Sequence, residues 1–155
     1  MDITLKKATV EDSGELYDMQ IKSFKALLEK YQDYDYSPGA EKIDRTVQRL
    51  EETFTDYYFI CLDGKNIGGL RICNFGELCK LKQIYILPEY QNNGYAQTAI
   101  RLGEDLHPKA RRWQVDTILQ EEKLCRLYEK MGYKKTGRVD NIKAGMDIVY
   151  YEKEE

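Results

Sequence analysis

The sequence has few of the residues that mark metal sites, and it has no excess of basic residues. Among its 155 residues are one histidine, three prolines and four cysteines. No cysteine pair has the C-x-x-C spacing of a zinc or redox site, so we expect no metal centre. Lys and Arg number 24 and Asp and Glu number 27, which gives a formal net charge of −3. A general nucleic-acid binder would be basic, and we expect no nucleic-acid partner.

Long apolar segments are also missing. No run approaches the roughly 20 residues that cross a bilayer, and the N-terminal residues lack the apolar core of a signal peptide. We therefore expect a cytoplasmic protein without a membrane partner. The cysteines are expected to be buried free thiols, and His107 is expected to end a helix rather than bind a ligand. The length predicts a single domain over residues 1–155.

Hydrophobic periodicity alternates between the spacing of strands and that of helices along the chain. A strand at Ile3 is followed by a helix ending near Tyr31, a tyrosine-rich loop and a helix from Glu41 to Thr53. The predicted order is β-α-α-β-β-β-α-β-α-β-β. It describes an α/β (α+β) fold with a mixed, mostly antiparallel sheet of about seven strands and about four helices. The last two strands are expected to meet at a turn near Asp140-Asn141.

The most informative stretch runs from Leu81 to Leu102 and predicts a strand, a tight loop and a helix. Asn92-Asn93-Gly94 tolerate positive φ angles, so the loop can turn several N–H groups inward at the start of the helix. That geometry binds anions. The strand before the loop and the strand near Trp113 are joined by one crossover, so we expect them to be parallel and to open a cleft at their carboxyl ends.

Two motifs in this arrangement resemble those of the GNAT family of acyl-CoA-dependent N-acetyltransferases. Gln91, Gly94 and Ala96 match in order the family's pyrophosphate motif, Gln/Arg-x-x-Gly-x-Gly/Ala. The run L-Y-E-K-M-G-Y at 127–133 is similar to the family's late helix and the strand that follows it. The resemblance covers essentially the whole chain in element order.

The resemblance implies a GNAT-like fold and an enzyme that moves an acetyl group from acetyl-CoA to a primary amine. Tyr128 would act as the general acid. The backbone of one strand would pair with the pantetheine arm, at Ile84, Tyr85 and Ile86. The loop would hold the pyrophosphate, with Gln91 at its entrance and backbone amides from Asn92, Asn93, Gly94, Tyr95 and Ala96. Because the loop has no cationic side chain, positive charge would come from Arg101, Lys123 or Arg126.

Several alternatives stay open at this level. The general base is Glu77, Tyr85, Glu121 or a water relay. The acceptor is a small-molecule or peptide amine, and the acidic composition slightly favours a cationic one. The oligomeric state is open between a monomer and a homodimer. A catalytically idle acyl-CoA-binding or regulatory module is the alternative to an enzyme, and nucleotide binding at the same loop is a third hypothesis.

Overall fold

In the computed structural model, which describes residues 2–155, seven strands form one sheet. The strands are β1 (Ile3–Lys7), β2 (Thr55–Leu62), β3 (Lys65–Asn74), β4 (Leu78–Ile86), β5 (Arg112–Ile118), β6 (Lys134–Lys143) and β7 (Met146–Glu154). The helices are α1 (Ser13–Tyr31), α2 (Ile43–Glu51), α3 (Tyr95–Asp105) and α4 (Glu122–Lys130). This is the predicted order of elements, and the predicted mixed α/β fold is confirmed. None of these helices within residues 2–155 is long and apolar enough to cross a membrane.

The sheet has the strand order β1-β2-β3-β4-β5-β7-β6. All neighbours are antiparallel except β4 and β5, which are parallel and are joined through α3. The predicted crossover is therefore present. It places the carboxyl ends of β4 and β5 side by side in the middle of the sheet.

The two faces of the sheet carry separate hydrophobic clusters. On one face Ile60, Leu70 and Ile72 belong to the cluster that includes buried residues of α3 and α4. On the other face Phe59 and Tyr85 pack with buried residues of α1. Because side chains alternate along a strand, each residue of β4 points to only one of these two sides.

Two tight turns show what the sequence could and could not predict. Asp63 and Gly64 both have positive φ angles, 49° and 87°, and form the predicted β2–β3 hairpin turn. The turn between β6 and β7 does not lie near Asp140-Asn141 as predicted. β6 continues to Lys143, with Asn141 paired to Asp147, and Gly145 makes the turn with a φ of 81°.

The cysteines are buried and free, as predicted. His107 lies just beyond the end of α3, and its Nδ1 is 2.7 Å from the carbonyl oxygen of Gly103 in that helix. Its Nε2 is 2.8 Å from Oδ2 of Asp56. His107 therefore ties the end of α3 to β2, which agrees with its predicted place at a helix end.

Candidate active site

β4 and β5 separate partway along their length and leave a cleft between them. They pair from Leu78 with Arg112 to Leu81 with Val115, and within residues 2–155 no pairing of these strands extends further. A β-bulge lies at this point, because the register between β3 and β4 leaves Lys82 without a partner. A bulge bends its strand and increases the local twist. The cleft that opens beyond it has a volume of about 660 Å³.

Beyond the bulge, one edge of β4 is open toward the cleft. The N–H of Leu87 donates to the carbonyl of Ile67 on β3 at 2.8 Å, which sets the phase of the antiparallel ladder. By alternation the backbone groups of Tyr85 also face β3, whereas those of Ile84 and Ile86 face the cleft. An extended ligand can pair with such an edge as an added strand.

The loop after β4 presents backbone donors at the start of α3. Asn92 and Gly94 adopt left-handed conformations, with φ angles of 65° and 77°. Among the residues that the structure describes, no hydrogen-bond acceptor is found for the N–H groups of Asn92, Asn93, Gly94, Ala96 and Gln97. These donors lie at the positive end of the helix dipole, which is the arrangement that binds phosphate.

Two side chains brace the loop from within. Gln91 donates from Nε2 to the carbonyl of Ile86 at 2.8 Å. Asn93 donates from Nδ2 to the carbonyls of Tyr90 and Gln91, at 3.1 and 3.0 Å. Because both side chains bind carbonyl oxygens, they leave the N–H groups of the loop available to a ligand.

A basic face of α4 supplies the positive charge that the loop lacks. A second cavity of about 400 Å³ lies over the loop, and Lys123, Arg126 and Lys130 line it. It adjoins the cleft, because both are lined by Ile86 and Gln91 among others. Of the three cations that the sequence suggests, Lys123 and Arg126 are therefore in place, whereas Arg101 is not among the residues of either lining.

The end of α4 holds Tyr128 in place through a Schellman motif. The N–H of Tyr133 donates to the carbonyl of Tyr128 at 3.0 Å, and the N–H of Gly132 donates to that of Glu129 at 3.1 Å. The rings of Tyr128 and Tyr133 meet edge to face, with centroids 6.1 Å apart. The L-Y-E-K-M-G-Y run therefore fixes the position of the tyrosine through its own backbone turn.

The hydroxyl of Tyr128 opens into the cleft. The residue is 4% exposed and lines the cavity. No hydrogen bond to its hydroxyl is formed by any residue from 2 to 155. Burial, together with the charge of Asp116, raises the pKa of Tyr128, so the phenol keeps its proton over the physiological pH range.

On the opposite side of the sheet, a polar network forms the wall of the cleft next to α1 and α2. Glu41 accepts two hydrogen bonds from Arg49, both of 2.7 Å, and one from Gln20 of 2.8 Å. Gln83 donates to Gln20 at 3.3 Å and accepts from Nε of Arg71 at 3.2 Å. This side of the cleft faces away from the loop and α4. We call it the acceptor side and define it by the network of Gln20, Glu41, Arg49, Arg71 and Gln83.

The tyrosine-rich loop after α1 contributes to the mouth of the acceptor side. Tyr31 and Tyr36 line the cleft, whereas Tyr34 does not and is 67% exposed. The hydroxyl of Tyr31 donates to Glu121 at 2.5 Å and so links α1 to the start of α4. Asp33 also lines the cleft, and its buried Oδ2 has no hydrogen-bond partner among the described residues.

The geometry separates the candidate bases. Glu77 lies in the turn before β4 and lines neither cavity. Burial and the contact with Tyr57 raise the pKa of Tyr85 far above its usual range, which makes it a poor base. Glu121 lines the cleft; burial opposes the shift, but hydrogen bonds from Lys30 and Tyr31 lower its pKa. The Glu121 carboxylate is therefore already paired with Lys30, which makes it less available as a base.

Asp116 and Arg71 are among the charged residues of the cleft that were not predicted from the sequence. Asp116 is the first residue of β5 beyond the last pair with β4 and lines the cleft, and its side chain forms no ion pair or hydrogen bond with any described residue. Arg71 lies on β3 and lines the acceptor side. A charged residue at a predicted strand position was the available signal in both cases, but it did not show which face of the sheet would carry a cleft.

The residues predicted for the site are largely brought together. Those that line the main cleft are Ile84, Tyr85, Ile86, Gln91, Asn92, Ala96 and Tyr128. Gly94 and Tyr95 line the cavity over the loop, and Asn93 lines neither cavity. Tyr85 reaches the cleft from the acceptor side, where its hydroxyl lies 2.6 Å from that of Tyr57, while its backbone groups face β3. No cluster of metal-ligating side chains occurs within residues 2–155.

The fold brings an open strand edge next to a loop of backbone N–H donors, an arrangement that can bind an extended, phosphate-bearing ligand. Residues 15–133 match the family described as Acetyltransferase (GNAT) family. This match spans most of the chain, which therefore belongs to the GNAT acetyltransferase family. The family resemblance predicted from the two motifs is confirmed.

Solved structures share the fold. An acetyltransferase from Thermus thermophilus is 15% identical and has a TM-score of 0.77, with coverage of 100% of this chain and 98% of that one. The PaiA N-acetyltransferase from Thermoplasma acidophilum, in complex with coenzyme A, is 20% identical with a TM-score of 0.72 and full coverage of both chains. The ribosomal-protein-S18-alanine N-acetyltransferase from Escherichia coli is 12% identical with a TM-score of 0.79, over 99% and 94% of the two chains. A comparison with curated protein sequences finds no match.

Proposed function

We propose that the protein is an N-acetyltransferase that moves an acetyl group from acetyl-CoA to a primary amine of a small molecule or peptide. The observation that carries this proposal is the Tyr128 hydroxyl, which opens without a partner into a cleft next to a free strand edge and an unpaired N–H loop. The solved PaiA structure contains coenzyme A, and the SpeG structure from Vibrio cholerae is a spermidine/spermine N-acetyltransferase. Both support the proposed class of co-substrate and acceptor.

The residues of the cleft fit coenzyme A. The pantetheine arm would lie along the open edge formed by Ile84 and Ile86. The pyrophosphate would accept hydrogen bonds from the N–H groups of Asn92, Asn93, Gly94, Ala96 and Gln97. Lys123 and Arg126 would neutralise phosphate charge from the facing helix. Acetyl-CoA, when bound, supplies the activated acetyl group and a thiol as leaving group.

The chain's own groups would then perform three tasks. The N–H of Ile84, which faces the cleft, would donate to the acetyl carbonyl and stabilise the charge that develops on it. The unpaired carboxylate of Asp116 would accept the proton of the amine, directly or through a water molecule. Tyr128, which keeps its proton because burial raises its pKa, would donate that proton to the departing sulfur.

The test is thiol release from acetyl-CoA across a panel of primary amines, with coenzyme A binding measured separately. We expect Tyr128→Phe to lower kcat by about 100-fold or more, the usual effect of losing a general acid, and to leave coenzyme A affinity unchanged. Tyr133→Phe is the matched control, because its ring packs against Tyr128 but its hydroxyl binds Glu104 at 2.7 Å.

Two results would contradict the proposal in different ways. Binding of coenzyme A without turnover of any amine would favour the idle acyl-CoA-binding module instead. Turnover that is equally fast in wild type and Tyr128→Phe would remove Tyr128 from the mechanism while leaving the transferase activity in place.

A further inference from the structure

Arg71 is a buried cation in the wall of the cleft, and its own contacts are incomplete. Its side chain is 7% exposed. Nε donates to Oε1 of Gln83 at 3.2 Å, and Nη1 donates to Sγ of Cys73 at 3.4 Å. Among residues 2–155 the one carboxylate within 4.0 Å is that of Glu52, at 3.6 Å from Nη1, and Nη2 has no hydrogen-bond partner. A buried charge is costly unless it is paired and hydrogen-bonded.

The position of Arg71 places it beside the start of the cleft. It pairs across the sheet with Gln83, which follows the bulge at Lys82. Its sequence neighbours Leu70 and Ile72 belong to the cluster on the opposite face, so the guanidinium lies on the acceptor side. β4 lies between β3 and β5, and paired strands are about 4.8 Å apart. Because β4 and β5 no longer pair at Asp116, an acceptor that reaches from Arg71 to Asp116 must span more than two such spacings.

The charges of the acceptor side are not of one sign. Glu41 is engaged by Arg49, and Glu121 is engaged by Lys30. Once these pairs are set aside, the charged residues that line the acceptor side are Arg71, Lys82, Asp33 and Asp116. Two are cations and two are anions. A polyamine would satisfy the carboxylates but would bring a further cation toward the buried guanidinium.

We propose that the acceptor is an aminocarboxylate, a molecule with a primary amine and a carboxylate, and that the Arg71 guanidinium binds its carboxylate. The amine then faces Asp116 at the point where β4 and β5 separate. Nη2 donates to one carboxylate oxygen, and the planar guanidinium can offer a second N–H to the other. This assignment rests on the proposed acetyltransferase function and names the acceptor class of that same site.

The test compares pairs of amines that differ only by a carboxylate. L-Lysine with cadaverine, β-alanine with ethylamine, and L-phenylalanine with phenethylamine cover three sizes and three separations of amine from carboxylate. In wild type we expect kcat/KM to be higher for the aminocarboxylate in at least one pair, by about 10- to 100-fold, the range of a charge-assisted hydrogen bond. The expected change is mainly in KM.

Variants of Arg71 separate recognition from structural support. Arg71→Gln is expected to bring the ratio within a pair close to one, whereas Arg71→Lys keeps part of it. Lys82→Gln is the matched control, because it removes an exposed cation from the same cleft and should leave the ratio unchanged. If Arg71 has only a structural role, its substitution should lower kcat/KM for both amines of a pair by the same factor and leave their ratio unchanged.

Each outcome has a distinct meaning. If the wild type acetylates the amines but its kcat/KM ratios of aminocarboxylate to matching amine are near one for all three pairs, the carboxylate subsite is overturned. The transferase proposal would still stand. A ratio that survives Arg71→Gln, or that disappears in Lys82→Gln, would also overturn it. Failure to acetylate any amine would instead refute the transferase function. If Arg71→Gln does not fold, the wild-type ratios and Arg71→Lys still decide the question.

Discussion

Replacement of Gly94 by alanine tests whether backbone conformation holds the phosphates of the co-substrate. Gly94 precedes α3 with a φ of 77°, and a Cβ built at this position would meet no atom within 4 Å. The substitution therefore causes no steric clash, and its cost is that of holding an L-residue in the left-handed region, about 1 to 2 kcal/mol. At Gly94 itself the carbonyl accepts two long hydrogen bonds from Thr98, one from its N–H and one from its Oγ1, both at 3.3 Å.

We expect that the free variant relaxes its loop and must restore the left-handed conformation when coenzyme A binds. The dissociation constant should then rise by about 5- to 30-fold, which is the same energy expressed as affinity. Isothermal titration calorimetry with coenzyme A measures it directly. Gly64→Ala is the matched control, because Gly64 has a φ of 87° and open space around it but lies in the β2–β3 turn. It should lose stability without losing affinity.

A side-chain variant completes the test. Gln91→Ala removes the brace to the Ile86 carbonyl but leaves the N–H donors in place, so its effect on affinity should be smaller than that of Gly94→Ala. A Gly94→Ala variant that loses as much stability as Gly64→Ala but keeps the wild-type affinity would show that this conformation does not hold the phosphates. A larger loss in Gln91→Ala would show that side chains rather than amides hold the ligand.

Two further predictions concern the stability of the acceptor side. In Gly69→Ala the new Cβ would lie 2.4 Å from the buried hydroxyl oxygen of Tyr85. Urea unfolding should therefore show a free energy of unfolding lower by about 2 kcal/mol. Gly14→Ala is the control, because a Cβ there meets open space and should not lower the free energy of unfolding. Burial would raise the pKa of Glu41, but the hydrogen bonds from Arg49 oppose this effect, and the pKa is lowered overall. The ion pair therefore stabilises the fold at any pH above the usual carboxyl pKa. This stabilisation is lost as the pH falls through the lower pKa of the folded state. Glu41→Gln should therefore cost about 3 kcal/mol at pH 7 and clearly less below about pH 4, and an equal cost at both would contradict the assignment.

The half of the site that faces the loop could be predicted because it is local in sequence. Ile84 to Ala96 form one continuous strand, loop and helix start, and their chemistry is that of backbone N–H groups. The turn that positions Tyr128 is likewise contained in seven consecutive residues, because Gly132 permits the Schellman motif that ties Tyr133 back to Tyr128. Patterns of turn residues and apolar spacing report such features directly.

The acceptor side could not be predicted because its residues come from distant elements and act through their side chains. Arg71 lies on β3, Gln83 on β4 and Asp116 on β5, and α1 adds Gln20. The parallel crossover predicts a cleft and alternation along each strand predicts which residues share a face, but neither shows which side chains line the cleft. That depends on where β4 and β5 stop pairing, and Lys82, at which this happens, has no sequence signal of a bulge.

The single extra residue at Lys82 links the two halves of the site. It marks the end of the pairing between β4 and β5, so the backbone edge of Ile84 is left free on the side where a thioester would lie. The same irregularity sets Gln83 opposite Arg71 on the acceptor side. A change of strand register at this position would therefore alter the open edge and the guanidinium together. The N–H group proposed to bind the thioester carbonyl and the guanidinium proposed to bind the acceptor are consequently fixed relative to each other by one stretch of strand, as direct attack by an amine on a bound thioester would require.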